Sequence, residues 1–182
     1  MKIEKTNIKN CYLITPKKKF DIRGSFHRAY CKKIFYKHKI KFNIKQTNTS
    51  INKKKYTLRG FHFQKKPYKE NKILNLISGS IYNVTIDLRK NSKTFLKKFF
   101  YNFDSKRNEA ILIPAGCANA FLTLENNSII HYYMDSYFEE NIKSNYFGFK
   151  YNDEIFKINW PFKPKIISNK DKNYPKLNLN NI

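Results

Sequence analysis

Arg59, His62 and Gln64 fall close together in an apolar, strand-like run, Thr57-Leu-Arg-Gly-Phe-His-Phe-Gln64, with a glycine at its middle. A segment built only for packing has little use for these three side chains together, and the grouping points to a polar, anionic ligand. His62 is the candidate for proton chemistry, because imidazole titrates near neutral pH. An isolated strand histidine is more often a half-buried side chain bonded to a neighbour, so its context matters. A regular strand would place residues 58, 60, 62 and 64 on one face and Arg59 on the other. Gly60 permits a bulge that would turn Arg59 to the side of His62. The competing reading is a metal site. His62-Phe-Gln64 lacks the second imidazole of a His-x-His pair, although Glu70 could supply an oxygen and His131 a distant nitrogen. A metal-free histidine base is the reading the residues favour.

The elements that must position these residues read as strands. Alternating or continuous apolar segments occur at 10–15, 57–64, 73–77, 80–88, 98–103, 110–113, 120–124 and 128–134. Turn formers separate them, among them Ser78-Gly79, Asn91-Ser92, Pro114-Ala-Gly116 and Glu125-Asn-Asn127. One short helix is expected around 30–37, where Tyr30, Ile34 and Phe35 fall near helical spacing. Residues 154–182 look irregular, anchored by Trp160-Pro161. Many short, evenly spaced strands indicate an antiparallel sandwich or barrel. The expected fold is all-β, a jelly roll with short peripheral helices. No repeat or Pro/Gly-rich linker divides residues 1–182, so a single domain is expected.

Composition narrows the setting. The chain has 182 residues, 41% of them hydrophobic, enough for a real core. No apolar run reaches the ~18 residues of a membrane span, and Met1-Lys-Ile-Glu-Lys5 lacks the apolar core of a secretory signal. Cys11, Cys31 and Cys117 are widely spaced with no CxxC, which points to reduced thiols in the cytoplasm. The formal net charge of +24 would attract polyanions. Yet only five of the 37 basic residues are arginine, and the lysines are spread along the whole chain together with asparagine and isoleucine. Nucleic-acid recognition leans on arginine forks, so nucleic acid is not the expected partner. Three of the five arginines, Arg23, Arg59 and Arg89, lie instead within short motifs.

Those motifs run in order along most of the chain. They are Asp21-Ile-Arg-Gly24, Gln46-Thr-Asn-Thr-Ser50, Leu58-Arg-Gly-Phe-His-Phe-Gln64, Lys72, Ser78-Gly-Ser80, Asp87-Leu-Arg89, Ser92-Lys-Thr-Phe95 and Ile113-Pro114. Ala118-Asn-Ala-Phe121, Tyr151-Asn-Asp153, Trp160-Pro161 and Ser168-Asn-Lys-Asp171 complete the set. Singly each is weak; together and in this order they resemble the dTDP-4-dehydrorhamnose 3,5-epimerase family of sugar-nucleotide epimerases. The resemblance implies a cupin-like double-stranded β-helix, normally a homodimer, using no metal and no organic cofactor.

It also implies roles. The substrate would be a nucleotide-linked 4-keto-6-deoxy sugar, whose C4 ketone acidifies the protons on C3 and C5. His62 matches the family's base and Asp171 the aspartate paired with it. Lys72 matches the lysine beside the ketone, and Tyr132 the tyrosine that returns a proton on the opposite face. Taken alone, Asp171 between Lys170 and Lys172 would read as a solvated tail residue, and alternation admits only one of Tyr132 and Tyr133 inward. Arg23 and Arg59 match arginines that hold the diphosphate. Phe26 and Phe138 fall near positions whose rings sandwich the base, and Gln46 and Asn48 match polar residues of the same site.

Two positions depart from the family pattern. Tyr82-Asn83-Val84 stands where the family often has Phe-Asp-Val, and Ala118-Asn119-Ala120-Phe121 where it has Ala-His-Gly-Phe. Both replace a titratable group near the sugar with an amide. Residues 139–146 form a local insertion. Since His62, Lys72, Tyr132 and Asp171 remain, catalysis is expected to survive, with a changed sugar or a changed stereochemical outcome. A 3,4-ketoisomerase, a non-catalytic sugar-nucleotide-binding jelly roll and a basic nucleic-acid-binding β-domain are the competing classes.

Overall fold

The computed structural model describes every residue except 66–67 and 138–145. Most of its ordered backbone is antiparallel sheet. One sheet has the strand order β1 (Lys2–Lys5), β2 (Tyr12–Thr15), β10 (Ala110–Ile113), β7 (Lys72–Ser78), β12 (Ser128–Met134) and β5 (Gln46–Asn52). The other runs β13 (Tyr146–Gly148), β6 (Thr57–Gln64), β11 (Cys117–Thr123), β8 (Ser80–Asp87) and β9 (Lys98–Asp104). A short β14 (Ile166–Ile167) adds to β6 in parallel at Thr57 and Leu58. A separate two-stranded hairpin pairs β3 (Lys19–Asp21) with β4 (Gly24–Phe26). This is the expected all-β jelly roll of cupin type.

The side-chain alternation of each strand divides the apolar residues into layers. Leu74 and Leu76 of β7, Ile111 and Ile113 of β10, and Ile130 of β12 point inward from the first sheet. They meet Ile81 of β8, Phe103 of β9 and Phe121 of β11 from the second. The outer face of the second sheet, with Phe61, Phe63, Val84, Ile86 and Ala120, is covered by the chain's last third through Phe149, Phe156, Trp160 and Leu177. The outer face of the first sheet is capped at one end by a short helix, α1 (Lys32–Lys37), whose Phe35 is fully buried beside Ile14, Ile73 and Leu112. Of the described helices, none is long and apolar enough to cross a membrane.

The strands expected from alternation are present with shifted ends: β7 begins one residue earlier, at Lys72, and β11 begins at Cys117. The unexpected strands have physical reasons. β5 reads Gln-Thr-Asn-Thr-Ser-Ile-Asn, with hardly an apolar residue, because it is an edge strand whose inner side lines a cavity. β1 is a charged edge strand, and the β3–β4 hairpin is exposed along its whole length. A second short helix, α2 (Asn169–Lys172), lies in the tail that looked irregular.

Candidate active site

The site begins with a fault in β6. Its partners on β11 are Leu58 with Leu122, Arg59 with Phe121 and His62 with Asn119. Gly60 and Phe61 together therefore oppose Ala120 alone, which is a β-bulge. The extra residue turns Arg59 and His62 to the same face, as the glycine had led us to expect. Gly60 has φ +113°, and the Gly60–Phe61 peptide is cis. A Cβ on Gly60 would stand 2.6 Å from the carbonyl oxygen of Asn119 and 2.7 Å from Cα and Cβ of Ala120, so no side chain fits there. Phe61 turns to the outer face and stacks on Phe149, ring centroids 4.7 Å apart.

Asp171 reaches His62 from 109 residues away in sequence. The parallel pairing of β14 lays Ile166 and Ile167 along the start of β6, and α2 follows at once. Ser168 is its N-cap, accepting the Asp171 N–H at 3.0 Å. The buried Asp171 carboxylate then accepts from His62 Nε2 at 2.8 Å and from the Gly60 N–H at 3.0 Å. Burial pushes this carboxyl up, but the bond and charge of His62 and the Gly60 and Ser168 contacts outweigh it and hold it below the usual carboxylate range. An ionised carboxylate only accepts, so Nε2 carries the proton and Nδ1 is the basic nitrogen of the ring.

The ring lines a cavity of about 340 Å3 between the two sheets. Arg59, His62, Asn119 and Phe121 come from the β6–β11 wall. Asn48 and Ser50 of β5, Lys72 of β7, and Tyr132 and Met134 of β12 come from the facing sheet. Tyr132 is the inward member of its pair: it packs on the central core, while Tyr133 turns out to stack on Tyr30. Lys72 points the same way as Leu74 and Leu76. Burial pulls its ammonium below the usual lysine range, with the charge of Glu70 opposing. His62 thus stands on one wall of the cavity, and Tyr132 and Lys72 stand on the other.

A sequence profile described as dTDP-4-dehydrorhamnose 3,5-epimerase matches residues 5–178. The chain belongs to the dTDP-4-dehydrorhamnose 3,5-epimerase family. It is 30% identical over 179 residues to the dTDP-4-dehydrorhamnose 3,5-epimerase of Sinorhizobium fredii, spanning 97% of this chain and 90% of the relative. The crystal structure of the Bacillus anthracis enzyme of that name, with TDP and PPi bound, superposes with a TM-score of 0.91 at 34% identity, covering 97% of this chain and 99% of the other. The Legionella pneumophila 3,5-epimerase, solved in complex with dTDP-4-keto-L-rhamnose, gives a TM-score of 0.85 at 27% identity, covering 93% of this chain and 89% of the other.

Of the expected site residues, His62, Lys72, Tyr132, Arg59, Asn48 and Asn119 line the cavity. Three stand just behind it. Asp171 holds His62, Gln46 donates to Asn48 Oδ1 at 3.0 Å, and Asn83 accepts from Asn119 Nδ2 at 2.8 Å. The two departures from the family pattern are therefore one feature, a bonded amide pair. Asn119 Nδ2 also donates to the Val84 carbonyl at 3.0 Å, which fixes the amide's orientation and leaves Oδ1 as its remaining acceptor. Arg23 and Phe26 do not line this cavity; both are exposed on the β3–β4 hairpin, where Arg23 pairs with Asp21 at 2.6 Å. Phe138 and the insertion over 139–145 lie outside the described residues.

The alternative metal ligands do not converge. His131 lies on the outer side of β12, bonded to Thr49 Oγ1 at 3.0 Å, and among the described residues no cluster of three or more His, Cys, Asp or Glu could hold a metal. Sequence reasoning missed Ser50, Lys170 and Asn52. Ser50 and Asn52 follow Gln46 and Asn48 by strand alternation, and the buried Asn52 receives Arg59 Nε at 2.8 Å. Lys170, adjacent to Asp171, lines the cavity opposite the lysine of β7 and carries no signal separating it from the other lysines.

Proposed function

We propose that the protein epimerises a dTDP-linked 4-keto-6-deoxy sugar at C3, at C5 or at both, by proton transfer without a cofactor. The observation that carries this reading is the placement of the Asp171-held His62 and of Tyr132 on opposite walls of one cavity. His62 Nδ1 takes the proton made acidic by the C4 ketone, and Asp171 stabilises the imidazolium that forms. The C–H electron pair moves into the bond to C4, placing negative charge on O4, where the Lys72 ammonium stabilises it. Tyr132 donates its phenolic proton to the other face of the same carbon. His62 returns its proton to solvent and Tyr132 takes one up. Arg59 and Lys170 supply positive charge for the diphosphate.

The same reading makes the protein a homodimer. The β3–β4 hairpin carries Arg23 and Phe26 away from their own cavity, and Phe20 and Phe26 are 76% and 73% exposed. A second copy that received this hairpin at its cavity would cover both rings and bring a further guanidinium to the ligand. Reduced, unpaired cysteines fit a cytoplasmic enzyme of deoxysugar and surface-polysaccharide synthesis acting as one domain.

The test is incubation with dTDP-4-keto-6-deoxyglucose in D2O, with deuterium read at C3 and C5 by NMR and His62→Ala as control. Exchange abolished in the variant supports the reading. Equal incorporation at the two carbons would sink the altered-specificity expectation raised by Asn83 and Asn119. Absence of exchange with this and other 4-keto nucleotide sugars would replace the enzyme with a binding protein.

A further inference from the structure

Lys72 borders a second, much smaller cavity of about 10 Å3, shared with Gln64, Glu70 and Cys117. That is room for one water molecule, which needs ~10–15 Å3, and no more. Two oxygens on its walls, Gln64 Oε1 and Glu70 Oε2, are buried and have no hydrogen-bond partner among the described residues; the residues that carry them are only 9% and 7% exposed. Buried acceptors are almost always satisfied, and a water is the common means where no protein donor reaches them. Among the described residues, Lys72 forms no direct ion pair with Glu70 or any other carboxylate.

The stoichiometry of this corner is that of one water. It has two protons to give, matching the two unpaired oxygens, and a lone pair to accept from an ammonium. We propose that a buried water joins Gln64 Oε1, Glu70 Oε2 and Lys72 Nζ, and that Glu70 through it is a positioning residue that keeps Lys72 charged and aimed at the sugar. The catalytic consequence rests on the epimerase reading above; the hydration site does not.

The charges around Lys72 set the direction of the effect. Glu70 is the carboxylate whose charge favours the ammonium, and the Asp135 charge in turn raises Glu70. Burial keeps the Cys117 thiol well above the usual range and therefore neutral. The other charged and titratable groups that line the main cavity with Lys72 are Arg59, His62, Tyr132 and Lys170. Burial already pulls Lys72 down, so losing the Glu70 charge lets the ammonium deprotonate at lower pH.

The experiment is the pH profile of kcat/KM for wild type, Glu70→Gln and Glu70→Asp, beside an atomic-resolution crystal structure of the wild type. Glu70→Gln is expected to move the alkaline limb down by about one pH unit, one charge acting across one water. Glu70→Asp, which keeps the charge, is expected to return the limb toward wild type. Density for a water bonded to all three atoms supports the proposal. An unmoved alkaline limb in Glu70→Gln, or a dry cavity in the crystal, overturns it. A wild type that catalyses no exchange at any pH removes the epimerase reading, and the crystal alone then decides whether the water is there.

Discussion

One carboxylate, that of Asp171, accepts from His62 Nε2 at 2.8 Å and from the Gly60 N–H at 3.0 Å, so it holds both the ring and the bulge that aims it. Both partners are donors, and an amide cannot serve both with oxygen. In Asp171→Asn the side-chain NH2 must face one of them. If it faces the ring, Nε2 must accept and the proton moves to Nδ1, the nitrogen needed as base. The expected result is a fall in deuterium exchange on the order of 10²–10⁴-fold with affinity for dTDP nearly unchanged. Exchange within threefold of wild type would show that the pair is structural.

The bulge makes a second, sharper claim about Gly60. In Gly60→Ala the new methyl meets backbone, which cannot swing aside, at a φ that side chains rarely adopt. Unfolding in urea is expected to give a loss of about 2–4 kcal/mol. Exchange should fall as well, because relief of the clash separates Arg59 from His62. A variant as stable as wild type would mean that the strand can carry both residues without the bulge.

How much of this was legible beforehand varied with the kind of signal. The strands that read clearly from the sequence, such as 57–64 and 110–113, are those whose alternation is enforced by a core on at least one side. β5 was invisible because the cavity replaces its core, so its inward side is polar like its outward side. The bulge could be anticipated from a glycine between an arginine and a histidine. The tail's contribution was legible only through the family resemblance: taken alone Asp171 lies between two lysines, and the parallel pairing of β14 is what makes it a buried partner of His62. Conversely, Arg23 and Phe26 were matched to motifs, but a single chain does not bring them to the cavity, because they lie on a separate two-stranded hairpin.

Asp87 is expected to govern acid stability. Its side chain is fully buried and accepts from the N–H, Nε and Nη2 of Arg89 and from the hydroxyls of Ser92 and Thr94. Burial pushes its pKa up, but these donors win and hold it at about 2, below its ordinary 3.8. A carboxylate lowered on folding stabilises fully above its unfolded pKa and loses that stabilisation as pH falls toward the folded value. Denaturation midpoints should therefore be flat above about pH 5 and drop steadily between pH 4 and pH 2. Asp87→Asn should remove about 3–5 kcal/mol at neutral pH and flatten the acid slope. An unchanged slope would assign acid unfolding to other carboxylates.

The exposed hairpin predicts an assembly. Covering Phe20 and Phe26 would each contribute roughly 1.5–3 kcal/mol of hydrophobic stabilisation, a strong incentive for a second copy to bind there. Light scattering should give twice the chain mass for wild type and the single mass for Phe26→Asp. The variant should also bind dTDP more weakly while its own His62–Asp171 pair, on another part of the fold, stays intact. A wild type that is monomeric at assay concentrations would leave Arg23 and Phe26 without a part in the site.

The Asn83–Asn119 pair makes the last prediction, about which groups titrate. Asn119 Nδ2 is consumed by Asn83 Oδ1 and the Val84 carbonyl, so only an acceptor oxygen is left to the cavity, suited to a sugar hydroxyl. Neither amide ionises, so the pair should add no titrating proton to the acid limb of the kcat/KM profile. Asn119→Ala removes the acceptor and leaves a buried Asn83 oxygen unpaired, a cost of about 1–3 kcal/mol. Its effect should fall on KM more than on kcat, since the lost bond belongs to binding. The double variant Asn83→Asp with Asn119→His puts a second ionisable pair beside the sugar. Its acid limb should steepen toward two protons, and the ratio of deuterium at C3 to that at C5 should change. A double variant with wild-type slope and wild-type ratio would separate this pair from the choice of carbon.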